Sequence, residues 1–138
     1  AYYAGVASGA FSKRKLLIAI YLSRAIAITA FLSLPISTVS VLLFSAIMGF
    51  LWLATVPPTS GLVAMFFGTR YMAFLYGIVF FSHQVGSFTG VWLGGRLYES
   101  SGSYNGIWIT GIILALLAAV LHFYISEKSY KKQLQFSS

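Results

Sequence analysis

Four long apolar stretches, separated by segments of only a few residues, leave this chain few ways to fold. They cover residues 16–34, 39–66, 72–97 and 104–125. A helix needs roughly 20 apolar residues to cross a bilayer core about 30 Å thick, and each stretch is about that long or longer. The sequence therefore predicts an all-α integral membrane protein with four full transmembrane helices. Residues 1–11 look like the end of a partial fifth helix, so we expect the chain to be a fragment.

Composition agrees with a lipid environment. Only 8% of the 138 residues are charged, against about 25% in soluble domains, which is too few to cover the surface of a water-soluble globule. The chain contains no cysteine, so disulfides and thiolate metal sites are excluded within it. Its two histidines lie far apart in the sequence. We therefore expect neither a metal nor a cofactor.

Two further classes of protein are disfavoured by what the sequence lacks. The net charge is +7, but the bases lie between the apolar stretches rather than in one basic and aromatic patch. A nucleic-acid partner is therefore not expected. The chain also has no paired carboxylates, no phosphate-binding glycine loop, and neither an HExxH nor a GxSxG motif. We therefore do not expect an enzyme.

Basic residues alternate between the connections, which predicts an orientation in the membrane. They precede the first stretch, separate the second from the third, and follow the fourth: Lys13, Arg14, Lys15, Arg70, Lys128, Lys131 and Lys132. The other two connections carry no base. Because Lys and Arg favour the cytoplasmic side, these segments and the tail 126–138 should lie inside. We expect a multi-pass protein of the inner (plasma) membrane, with the lipid bilayer as its first partner.

The third stretch places an ionisable ring in the middle of the membrane. His83 lies at the midpoint of the uncharged residues 71–95, and Gly86, Gly90 and Gly94 follow at spacings of four. Residues at that spacing share a helix face, and small ones let helices approach closely in lipid. The sequence predicts that this face is buried in protein or lines a cavity. His83 is then either a substrate or proton contact or a neutral, hydrogen-bonded packing residue.

Arg24 is the most costly residue in the first stretch. It lies nine positions after Lys15, which is about 13 Å along a helix and too deep for easy contact with water. The chain's acids, Glu99 and Glu127, are predicted to lie on the outer and the cytoplasmic side of the membrane, respectively. Backbone carbonyls, an anionic ligand or residues beyond this chain must therefore be its partner. A structural role and an anion-related role both remain open.

Two prolines interrupt the second stretch at residues 57–58. Each proline removes an N–H and leaves a carbonyl four residues earlier without its helical partner, here at Leu53 and Ala54. We expect the hydroxyls of Thr59 and Ser60, or water, to satisfy those carbonyls.

The interruption has two possible meanings. It is either a broken helix that bends during gating, with Trp52 and Thr55 facing a cavity, or a static kink. The sequence does not decide between them.

Several segments together resemble a known family. They are VP-x-TSGLV at residues 56–63, FGTRY at 67–71, HQ-x-G-x-x-x-G-x-x-LGG at 83–95, and GSY at 102–104. They are similar to the last helices of major facilitator superfamily transporters, in the bacterial branch related to monocarboxylate and oxalate–formate carriers. The resemblance implies the C-terminal portion of a twelve-helix bundle, from the end of helix eight to helix twelve. The missing N-terminal helices would then be a partner of this chain.

The same resemblance implies which residues meet substrate. Helices ten and eleven usually face the central cavity in such carriers, whereas nine and twelve are peripheral. This favours candidates on the second and third stretches, namely Trp52, Thr55, Tyr76, His83 and Ser87. It lowers the expectation for Arg24. The acid and second glycine that this superfamily often places between helices eight and nine are absent after Gly9.

The function implied is secondary transport by alternating access, with a small organic anion such as a monocarboxylate as the substrate. One alternative is a complete small four-helix membrane protein that serves as a subunit or anchor of a larger complex. A small homodimeric exporter is a further alternative, disfavoured because no apolar stretch contains a carboxylate.

Overall fold

The computed structural model describes residues 12–126, which form five helices and no strand. The helices are α1 (Lys13–Ser33), α2 (Thr38–Ala54), α3 (Val56–Phe67), α4 (Met72–Ser101) and α5 (Asn105–Phe123). Their ends lie within about one helical turn of the predicted stretches. The expected all-α membrane fold is confirmed. The predicted partial helix at residues 1–11 and nearly all of the predicted tail lie outside the described residues.

Short-range hydrogen bonds explain where the helices begin and end. The Ser12 hydroxyl accepts from the N–H of Lys15 at the start of α1. At the start of α2, Ser37 and Ser40 each accept from the other's backbone N–H, at 3.1 and 2.8 Å. These contacts satisfy donors that have no partner within the helix. The helix α4 ends at Gly102, whose φ of 66° is a left-handed conformation that favours glycine.

The helix α1 is the centre of the described bundle. It packs along α5 and also contacts α2 and α3, whereas α4 packs mainly on α3. The buried side chains of α1 are all apolar: Leu17, Ile18, Ile20, Ala25 and Ile28. Small residues of α5 let the two helices approach, since a Cβ at Gly111 would lie 3.6 Å from Cδ1 of Ile28.

Contacts at both ends of the bundle fix α1 and α5 as antiparallel neighbours. At one end, the Arg14 guanidinium donates to the carbonyls of Phe123 and Ile125, at 3.4 and 3.1 Å. These carbonyls belong to the end of α5, where a cation is favourable. At the other end, the ring of Phe31 on α1 lies 5.8 Å from that of Trp108 on α5. The start of α1 and the end of α5 therefore share one side of the bundle.

This arrangement bears on how many times the chain crosses the membrane. Three helical segments of the described residues are long and apolar enough to span: α1, the combined run Thr38–Phe67, and α5. The helix α4 has 30 residues, about 45 Å, but polar side chains at residues 82–84 lower its hydropathy. The end of α5 lies beside the start of α1. An even number of crossings would bring these two ends to the same side, so the crossing by α4 stays a prediction that this arrangement supports.

The glycine face of α4 is packed at one position only. Gly94 is buried, and a Cβ there would lie 3.5 Å from Cδ1 of Ile107 on α5. A Cβ at Gly86 or Gly90 would meet no atom within 4 Å in the described part of the chain. Helix α4 diverges from its neighbours along those turns. Close packing at Gly86 and Gly90 therefore stays a prediction, and it would involve residues outside the described part of the chain.

Candidate functional site

The proline pair lies where one helix ends and the next begins. Helix α2 ends at Ala54 and α3 begins at Val56, with Thr55 between them. Pro57 and Pro58 therefore occupy the first turn of α3, where a missing N–H costs little. The break is a single residue wide, so α2 and α3 follow each other closely as two segments of one crossing.

Hydroxyl groups bond to different carbonyls from those expected. The Thr59 hydroxyl donates to the carbonyl of Thr55 at 2.7 Å, and the Ser60 hydroxyl donates to that of Pro57 at 3.0 Å. The prediction that these hydroxyls satisfy the carbonyls of Leu53 and Ala54 was wrong, whereas the alternative partner, water, stays a prediction. A hydroxyl on a helix reaches the carbonyl three or four residues before it, and those two carbonyls lie further back.

At the break itself, Thr55 bonds back to the end of α2. Its hydroxyl donates to the carbonyl of Trp52 at 2.6 Å, and its backbone N–H donates to the same oxygen at 3.3 Å. The carbonyl of Thr55 in turn accepts from Thr59. These bonds hold the two threonines on adjacent turns across the break.

A cavity of about 210 Å³ opens beside this break. It lies between α1, the α2–α3 junction and the first half of α4. Its lining is Tyr21, Trp52, Thr55, Val56, Thr59, Tyr76, Val79, Phe80 and His83. Four of the six candidates from the sequence, Trp52, Thr55, Tyr76 and His83, thus meet at one place.

One face of α4 forms a wall of this cavity. Tyr76, Val79, Phe80 and His83 stand at positions i, i+3, i+4 and i+7, which share a helix face. The His83 ring lies 5.9 Å from the Trp52 ring and 6.2 Å from the Phe80 ring, centroid to centroid. The imidazole therefore packs among aromatic rings, and it remains exposed in the described part of the chain.

Two sequence candidates lie outside the cavity lining, and two polar lining residues were not predicted. Ser87 lies about one turn beyond His83 on α4 and does not line the cavity. Arg24 is also outside the lining. Tyr21 and Thr59 were missed as site residues. Thr59 follows the proline pair closely enough to have been found, but Tyr21 depends on how α1 packs against the break, which no local pattern reveals.

Arg24 lies one turn after Tyr21, which lines the cavity, and its side chain as a whole is half-buried. Its guanidinium carbon is 5.5 Å from the centre of the Tyr21 ring. Its Nε and Nη2 atoms are buried, and neither has a hydrogen-bond partner within residues 12–126. A cation–π contact contributes about 0.5–2 kcal/mol, whereas a buried, unpaired charge costs several kcal/mol. Within the part of the chain that the structure describes, backbone carbonyls, one of the three partners expected from the sequence, do not bond to these two nitrogens.

Tyr21 links the cavity to the other side of α1. Its ring lies 5.2 Å from the His122 ring on α5, and Nδ1 of His122 is 2.6 Å from the carbonyl of Ala118. Tyr21 is thus positioned by Arg24 and by α5. Its contact with the cavity follows from the packing of α1 on α5.

A larger hollow of about 390 Å³ lies between the end of α1 and the start of α2. Its lining is almost entirely apolar and includes Phe31, Leu34, Val39 and Ile47. The hydroxyls at its edge already form the capping bonds of α2. It therefore offers a polar solute few contacts, and we assign the candidate site to the smaller cavity.

The lining of the smaller cavity suits recognition more than catalysis. It presents an imidazole, an indole, two phenols and two aliphatic hydroxyls, together with apolar surface. No group of three metal-ligating side chains occurs among residues 12–126. Its volume equals about seven water molecules at roughly 30 Å³ each. A small polar solute of a few heavy atoms fits such a space.

These features define a multi-pass helical membrane protein whose broken helix borders a small, mainly apolar cavity that carries a few polar groups. Comparison with protein families identifies the kind: residues 1–138 match the Major Facilitator Superfamily. The chain belongs to this superfamily of membrane transporters. No curated protein and no solved structure matches it. Membership does not favour the alternative of a subunit or anchor, while the carrier branch within the superfamily stays a prediction.

Proposed function

We propose that this chain forms one wall of the substrate pathway in a secondary active transporter for a small organic anion. The observation that carries the proposal is the convergence of Trp52, Thr55, Tyr76 and His83 on one cavity at the broken helix. Discontinuous membrane helices commonly form substrate sites in transporters, because their ends present free backbone groups to the solute. A monocarboxylate is the substrate class that the resemblance favours.

The proposed mechanism is alternating access. Two halves of the carrier rock about the site, which opens to one side of the membrane at a time. The break at Thr55 lies between two rigid helical segments, so a small change there moves α3 relative to α2. The hydroxyls of Thr55 and Thr59 and the indole of Trp52 would then change their positions relative to Tyr76 and His83. Such a change alters affinity between the two states.

The correspondence with the superfamily is also part of the proposal. The helices α1, α2–α3, α4 and α5 would be helices nine, ten, eleven and twelve, and residues 1–11 the end of helix eight. Exposed apolar side chains along α4, such as Phe81, Phe88 and Val91, leave ample surface for the remaining helices of the carrier. An even number of crossings, which the Arg14 contact supports, agrees with this correspondence.

We expect the basic connections to lie in the cytoplasm. Single cysteines are informative because this chain contains none. In a carrier otherwise free of cysteine, Ser101→Cys should react with a membrane-impermeant maleimide on intact cells. Lys15→Cys should react only after the cells are permeabilised. The reverse pattern would place the basic residues outside and overturn the orientation.

His83 is the group on the cavity wall that we expect to couple transport to protons. Histidine is the side chain that ordinarily titrates between pH 5 and 8. In the complete carrier in liposomes, His83→Gln should lower the uptake of radiolabelled lactate or oxalate by about tenfold, the effect of losing one strong hydrogen bond. It should also flatten the dependence of uptake on pH between 5 and 8.

His122→Gln is the matched control, because His122 lies outside the cavity lining. It should keep the pH profile of the wild type; its ring contacts Tyr21 of the lining, so the pH profile and not the rate is the property compared. If His83→Gln keeps both the rate and the pH profile, His83 is a packing residue and proton coupling must be sought elsewhere. If the wild-type carrier takes up neither probe, the proposed substrate class is wrong.

A further inference from the structure

Arg24 presents one complete edge of its guanidinium group without a partner. The two buried nitrogens that lack hydrogen bonds within the described residues are Nε and Nη2. These two N–H groups lie side by side and point the same way. An arginine edge of this kind matches the two oxygens of a carboxylate, which it binds through two parallel hydrogen bonds.

Among the residues that the structure describes, no acidic side chain bonds to the buried nitrogens of Arg24. Glu99, an acid within residues 12–126, lies in the last turns of α4, where Tyr98 stacks on Tyr104 at the start of α5. Arg24 lies near the middle of α1. The Tyr21 ring is the contact found for its guanidinium, and a ring face provides no acceptor for the Nε–Nη2 edge. A buried cation in a membrane requires a counter-charge or strong acceptors.

We propose that Arg24 binds a carboxylate through its Nε–Nη2 edge, one turn after Tyr21, which lines the cavity. The carboxylate belongs either to the transported anion or to an acidic side chain on another helix of the carrier. The first source rests on the function proposed above, whereas the second does not. In both cases the contact with the Tyr21 ring, at 5.5 Å, positions the guanidinium.

The test compares three variants of the complete carrier. Arg24→Met removes the charge while keeping a flexible apolar side chain. Arg24→Lys keeps the charge but cannot form two parallel bonds. Arg96→Met is the matched control, because the Arg96 guanidinium also lies 5.5 Å from an aromatic ring, that of Trp92, yet Arg96 is exposed. Thermal unfolding in detergent, with and without sodium oxalate or lactate, and uptake in liposomes are measured for each.

If the carboxylate is the substrate's, oxalate or lactate raises the melting temperature of the wild type but not of Arg24→Met. In Arg24→Met, the substrate concentration that gives half-maximal uptake then rises about 30-fold or more, as expected when one member of a buried charge pair is removed. If the carboxylate is the protein's own, Arg24→Met lowers the melting temperature without any probe. Arg24→Lys should fall between wild type and Arg24→Met, and Arg96→Met should match the wild type.

The proposal is overturned if Arg24→Met leaves both melting temperature and probe affinity unchanged. It is equally overturned if that variant melts higher with unchanged affinity, because removing an unpaired buried charge is stabilising. If Arg24→Met cannot be purified, Arg24→Lys decides: wild-type behaviour in every measurement overturns the two-bond geometry. If the wild type binds neither probe, the proposed substrate class fails, and the melting temperature without probe still decides whether Arg24 pairs with a protein carboxylate.

Discussion

Replacing Val79 by tryptophan should abolish uptake in the complete transporter, whereas the same replacement at Val85 should leave uptake near the wild-type rate. Val79 lines the cavity of about 210 Å³ between Tyr76 and His83, so an indole at this position fills much of the space that a solute needs. Val85 lies about 120° around α4 from Val79, at about 100° per residue, and is outside the cavity lining. We expect at least a hundredfold loss for Val79→Trp, about the effect of displacing a substrate from its productive position.

The two valines form a close pair of test positions. They are 38% and 48% exposed in the described structure, so a difference in uptake cannot be ascribed to one being buried and the other not. The initial rate of lactate or oxalate uptake should be measured at equal amounts of purified, monodisperse protein. Equal rates for the two variants would show that this cavity is not on the substrate pathway. Loss of uptake in both would indicate a general effect of bulk on α4.

How much of this site follows from the sequence depends on which contacts are local. Tyr76 and His83 are seven positions apart on one helix, and that spacing alone places them on one face. For Trp52 and Thr55, facing a cavity was one of two interpretations of the proline break, and the resemblance to the superfamily favoured it, as it favoured Tyr76. These four residues do meet at the cavity.

Contacts between distant helices were harder to predict. Tyr21 reaches the cavity because α1 packs on α5 and against the break, which depends on the approach of small residues such as Gly111 to Ile28. The spacing of Tyr21 and Arg24 on α1 is local, but the contact of Tyr21 with the cavity is not, so the sequence did not place Arg24 near the cavity. The helix α4 is not among the three described segments that are long and apolar enough to span, so its crossing stays a prediction, which the Arg14 contact with the end of α5 supports. Local apolarity measures the match to lipid, whereas a helix that borders a solute pathway carries polar side chains.

Replacing Pro57 and Pro58 together by alanine should reduce uptake by about tenfold while leaving the protein as stable as the wild type or more so. The two new N–H groups restore donors for the carbonyls four residues earlier, at Leu53 and Ala54, so α2 and α3 can join through Thr55 into one helix. Alanine is about 3 kcal/mol more favourable than proline inside a helix, which is why we expect no loss in melting temperature.

A joined helix would remove the hinge on which the proposed mechanism depends. The bonds that Thr55 makes to Trp52, and that Thr59 makes to Thr55, would then be held in a single geometry, so the threonines would no longer move relative to His83. Pro35→Ala, in the connection between α1 and α2, is the control because it changes a proline away from the cavity. A double variant that transports at the wild-type rate would identify the break as a static kink. Slower transport by an equally stable protein would instead mean that the break moves during the cycle. Loss of that motion lowers the rate of uptake and leaves the melting temperature unchanged.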